Sequence, residues 1–127
     1  MNLERSNQPQ HVQYDLARVL EAFEECPDIF SPVAKLFREA YARDLQALRV
    51  AIEKEDCGTC AFLAHKIKGS ASYFRAVHVN DLAAELEAKG ERGNLEGARA
   101  LADKLGEALD SVSNGLRQVE DLLSARV

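Results

Sequence analysis

His65 lies in the run Ala61-Phe62-Leu63-Ala64-His65-Lys66-Ile67-Lys68-Gly69-Ser70-Ala71-Ser72, and its neighbours suit a ring nitrogen acting as a nucleophile. A free imidazole has a pKa of about 6.5, so near neutral pH one nitrogen carries a lone pair and can attack phosphorus without a separate base. Lys68, three residues on, can bring an ammonium to the phosphoryl oxygens. Gly69, four residues on, removes the side chain that would hold a second protein's active site away. A mid-helix glycine costs roughly 1 kcal/mol against alanine, a cost that access would explain. The plain alternative is a solvated helix face on which His65 and Lys68 are ordinary polar residues. His11 and His78 have no comparable surroundings and are read as surface residues.

A second chemistry is spelled by Cys57-Gly58-Thr59-Cys60, which has redox or metal-ligand spacing. It lacks the βαβ context of a thioredoxin-like site and the second ligand pair of a closed zinc site. With Cys26 the chain has three cysteines, so one stays unpaired, which favours a reducing compartment over a secreted disulfide framework. No phosphate-binding glycine loop and no kinase signature occurs, which argues against ATP hydrolysis. The charges Arg99, Asp103, Lys104, Glu107 and Asp110 read as a solvent face rather than acid–base machinery.

Helices must position these groups. On a wheel of about 100° per residue, Cys60, Leu63, Ala64, Ile67, Ala71 and Phe74 form an apolar stripe, and His65 faces the other way among Ala61, Phe62, Lys68, Gly69 and Ser72. Phe62 is either a minor core residue or an exposed anchor for a partner. Asp56 reads as the N-cap of this helix. Before it, Ser31-Pro32 reads as N-cap and first turn of a long helix on Val33, Leu36, Phe37, Ala40, Leu45, Leu48 and Ile52. After it comes a helix on Val79, Leu82, Ala83 and Leu86, punctuated by Gly90 and Gly93. A last helix starts near Asn94 and is weakened locally by Gly106 and Gly115. Val12, Leu16, Val19, Leu20 and Phe23 predict an additional N-terminal helix over about 12–25, behind a flexible polar tail at 1–10.

The 127 residues suffice for one core, and 46% hydrophobic with 29% charged residues, no Trp and few strand formers indicate an all-α protein. The economical arrangement is an antiparallel four-helix bundle, up-down-up-down, with the additional N-terminal helix, in a single domain over 11–127. A net charge of −5 with scattered basic residues leaves no footprint for nucleic acid. No stretch of about 18 apolar residues could cross a membrane, and the chain is read as cytoplasmic.

The segment Ala64-His65-Lys66-Ile67-Lys68-Gly69-Ser70-Ala71 resembles the phosphorylation-site signature of the histidine-containing phosphotransfer (HPt) domain family. Val79-Asn80-Asp81-Leu82-Ala83-Ala84-Glu85-Leu86-Glu87, then Gly90-Glu91-Arg92-Gly93-Asn94-Leu95 and Ala98, is similar to that family's next helix, glycine turn and final-helix start, so that the likeness covers about residues 30–123. It implies that His65 is the phosphoacceptor, that Lys68 stabilises the phosphoryl group, that Gly69 gives access, and that Glu87 bonds the imidazole from the neighbouring helix. Ala61, Phe62, Ser72 and Arg75 would then belong to the partner surface. Arg75 departs from the pattern, standing where the family often has glycine, and the N-terminal helix is longer than a minimal member needs.

The resemblance implies a phosphocarrier of a multistep two-component phosphorelay, with receiver domains of a hybrid sensor histidine kinase and of response regulators as partners. No cofactor would be bound by this chain, and Mg²⁺ would come from the partner receiver. The rival readings are a non-catalytic helical adaptor that binds receivers, a Cys57/Cys60 metal or redox protein, and the phosphoacceptor domain of a chemotaxis-type kinase.

Overall fold

The computed structural model describes residues 27–74 and 76–125. Among them are four helices, α1 (Pro27–Glu53), α2 (Cys57–Ser72), α3 (Val77–Arg92) and α4 (Ala98–Ser124), and no strand. The N-terminal tail, the helix predicted over 12–25 and Arg75 lie outside the described residues. No described helix is long and apolar enough to cross a membrane.

The apolar stripes meet in one core. Phe30, Phe37, Leu48, Ile67, Phe74, Val79, Leu86, Leu105, Leu109 and Leu116 are buried, and so is the whole predicted stripe of α2 from Cys60 to Phe74. Phe74 lies two residues past the end of α2 and still meets Phe30 at 6.1 Å and Phe37 at 5.3 Å, edge-on to both. The helices neighbour one another in a closed ring, α1–α2–α3–α4–α1, and among the described residues no two backbones approach closely across the diagonals.

The side-chain pairs give the directions. Ser31 and Arg38 reach Glu120, Tyr41 reaches Asp110, and Arg49 reaches Asp103, so α1 and α4 run antiparallel. His65 opposite Glu87 and Ser72 opposite Asn80 show the same for α2 and α3.

Three helix boundaries differ from expectation. α1 already includes Pro27, which leaves Pro32 inside it; Ser31 is therefore no N-cap, and its hydroxyl instead donates to Glu120 Oε2 at 2.7 Å. Pro32 is the sixth residue of α1, so the helix forgoes one backbone bond there, in its second turn. Asn94 does not cap α4: its Oδ1 accepts from the Glu96 N–H at 3.0 Å in a turn, and α4 begins at Ala98 behind Gly97, whose φ of 78° is left-handed. Gly90 is not a stop but a buried residue inside α3, and Gly93, at φ 71°, is the true C-cap.

Leu36, predicted in the stripe of α1, is 66% exposed, whereas Asp44 of the same helix is 5% exposed. Asp56 caps α2 as read, accepting from the Thr59 N–H at 3.1 Å and its hydroxyl at 2.7 Å, bonds that pull its carboxyl below the ordinary range.

Candidate functional site

The site rests on the α2–α3 contact, and that contact rests on a glycine. A Cβ on Gly90 would lie 2.7 Å from the Cys57 carbonyl oxygen and 2.9 Å from Ala61 Cβ, so only glycine lets α3 approach α2 this closely. Ala61 is accordingly half-buried and serves this packing, rather than standing in the open as the wheel had it.

One turn back along α3 from that contact, Glu87 faces α2 and binds two side chains at once. His65 Nδ1 lies 2.9 Å from Oε2, and Lys68 Nζ donates to Oε1 at 3.0 Å. Lys68 comes first among the groups that hold the Glu87 carboxyl below its ordinary range; burial opposes it, and the hydrogen bond from His65 adds to it. An ionised carboxylate can only accept, so Nδ1 is the ring nitrogen that carries hydrogen. In the neutral ring Nε2 then keeps its lone pair. The His65 side chain is 67% exposed while Glu87 is 17% exposed, so the anchor is sheltered and the ring it holds is open to solvent.

Gly69 sits beside the ring, and a Cβ there would meet nothing within 4 Å. The fold therefore does not need glycine at 69 for packing. Phe62 is 67% exposed, which decides between its two readings in favour of a surface ring. Ser72 donates to the Lys68 carbonyl at 2.9 Å and accepts from Asn80 Nδ2 at 3.3 Å, so its hydroxyl ties the end of α2 to α3. The position of Arg75 lies outside the described residues.

Two neighbours were missed in the sequence. Lys66 Nζ donates to the buried Asp44 Oδ1 at 3.1 Å, an ion pair that ties α2 to α1 immediately beside His65. An acid at position 44, within the apolar spacing Tyr41, Leu45, Leu48, was the available signal. Tyr73 is 75% exposed and, with Ile29 and Leu36, rims an apolar groove between α1 and α2 that is floored by Phe37 and Phe74.

Cys57 is half-buried and Cys60 buried, both as free thiols. Among the described residues no three His, Cys, Asp or Glu side chains are grouped to hold a metal ion.

The arrangement presents a nucleophilic nitrogen on a convex helix face, with its tautomer set from behind and a cation alongside. The family model for the Hpt domain matches residues 32–115. No curated protein and no solved structure matches the chain.

Proposed function

Because the chain belongs to the Hpt domain family, whose members carry phosphoryl groups in two-component phosphorelays, we propose that His65 accepts a phosphoryl group from a receiver-domain aspartate and passes it to the aspartate of a response regulator. The observation that carries this reading is the Glu87 carboxylate, held by Lys68 at 3.0 Å and bonded to His65 Nδ1 at 2.9 Å.

In the forward step Nε2 attacks phosphorus in line. The P–N bond forms as the P–O bond to the donor aspartate breaks, and that carboxylate leaves with the electron pair. No proton need move, because Nε2 enters with a free lone pair and Nδ1 keeps its hydrogen on Glu87. Positive charge that develops on the ring is stabilised by the carboxylate behind it. Lys68 lies within one helical turn of the ring and is a cation available to the phosphoryl oxygens. Transfer onward reverses the same steps on a second receiver.

Catalysis of this kind is positioning and charge neutralisation. Both Glu87 oxygens are already engaged, so the Mg²⁺ that assists phosphoryl transfer is assigned to the receiver. The chain is a phosphocarrier without kinase activity of its own. Its partners are the receivers of a hybrid sensor kinase and of response regulators, which dock over Gly69 and Phe62.

The test is transfer of labelled phosphate from a panel of phosphorylated receivers to the wild type and to His65→Gln. Acid-labile, base-stable label on the wild type alone is expected. Receiver binding with no label on the folded wild type would overturn the carrier reading in favour of an adaptor, and labelling from ATP alone would overturn the non-kinase assignment.

A further inference from the structure

The Cys57-Gly58-Thr59-Cys60 motif plays no part in the relay, yet the fold places it for a different reaction. Cys57 is the first residue of α2 and Cys60 lies one turn on. In a helix, Cα atoms three residues apart are about 5 Å apart, inside the roughly 4.4–6.8 Å span that a disulfide bridges. Helical side chains lean toward the N-terminus, so Cys60 covers the turn that holds Cys57. Burial pushes the Cys60 thiol up, and Cys57 adds to the shift.

Access is asymmetric. Cys57 is half-buried and Cys60 is 0% exposed. Gly58 between them is exposed, and a Cβ there would meet nothing within 4 Å, so the approach to Cys57 is open.

We propose that Cys57 and Cys60 are a redox modification site that closes to an intrahelical disulfide with a low-molecular-weight disulfide such as oxidised glutathione. The Cys57 thiolate attacks the small disulfide, forming a mixed disulfide and expelling one thiolate. Cys60 then gives up its proton to the thiolate released in the first step, and its sulfur attacks the Cys57 sulfur, forming the Cys57–Cys60 bond and expelling the second thiolate. Two protein thiols are oxidised and one small disulfide is reduced. This site stands independently of the phosphotransfer reading.

The experiment uses the full chain carrying Cys26→Ser, treated with oxidised glutathione, weighed intact, and probed with a maleimide after denaturation. The expected product has lost two hydrogens, carries no glutathione and takes up no maleimide, with helicity retained by circular dichroism. With Cys60→Ser added, the reaction should stop at a stable glutathione adduct on Cys57; with Cys57→Ser added instead, Cys60 should remain a free thiol. A stable adduct while both cysteines are present, a disulfide between two chains, or two free thiols after treatment would each overturn the proposal.

Discussion

A single carboxylate on α3 decides which nitrogen of His65 is free. Glu87→Ala removes the partner of Nδ1, and phosphotransfer should slow roughly ten- to hundredfold, the worth of a hydrogen bond to a charged group. Glu87→Gln retains an acceptor oxygen for Nδ1–H but not the charge, and should fall between the two, roughly three- to tenfold below the wild type. Imidazole ¹⁵N spectra check the cause, since the Nδ1–H tautomer should lose its preference in Glu87→Ala alone. The hydrogen bond from Lys68 is the main reason that the carboxylate titrates below its ordinary 4.5. A carboxyl depressed in the folded state favours folding above the ordinary value and loses that contribution as pH falls from 4.5 through the folded value. Lys68→Ala should therefore raise the Glu87 midpoint seen by carboxyl ¹³C NMR, and an unmoved midpoint would refute the Lys68 assignment.

Glu87 meets His65 only because α2 and α3 touch one turn away. Gly90 lies against the Cys57 carbonyl and Ala61, and the added methyl of Gly90→Ala has no room there. The substitution improves intrinsic helix propensity by about 1 kcal/mol, yet the clash is with backbone and should prevail, giving a net loss of roughly 1–3 kcal/mol in denaturant unfolding. The separation of α3 from α2 should also weaken the His65–Glu87 bond, so the tautomer signal and the stability should fall together. A stabilised Gly90→Ala protein would show that the helices are not held at this distance. At the other side of α2 the Lys66–Asp44 pair ties the helix to α1, so His65 lies between two anchored neighbours.

For the whole molecule, the four-helix ring encloses the core and presents the ring face of α2 outward. Gly69 and Phe62 lie on that face without supporting the fold: Gly69 opens onto empty space and Phe62 is 67% exposed. Their substitution should separate docking from stability. Gly69→Gln should raise stability by up to about 1 kcal/mol through helix propensity while lowering kcat/KM for receiver transfer at least tenfold. Phe62→Ala should change stability by less than about 0.5 kcal/mol and raise the KM for the receiver. If both variants transferred like the wild type, the receiver would have to approach His65 from another side.

Much of this protein was legible along the chain. Periodicity located the four helices and the buried stripe of α2 from Cys60 to Phe74, because a helix at a core boundary must repeat its apolar residues every three to four positions. The run from Ala64 to Ala71 marked His65, Lys68 and Gly69 through its likeness to the family's phosphorylation-site signature. The boundaries at Pro27 and Gly97 were misplaced, since a Ser-Pro pair and an Asn both have uses other than capping. What only the tertiary structure decided are the pairings between helices. Glu87 and Lys68 are 19 residues apart, and Lys66 and Asp44 are 22 apart. Whether such side chains meet depends on the distance and crossing of two helices, which for α2 and α3 Gly90 sets through a contact that no one-dimensional pattern records. The sequence by itself singled out His65 as the candidate nucleophile; the packing of α3 on α2 decided which of its nitrogens is held on Glu87 and which is left free.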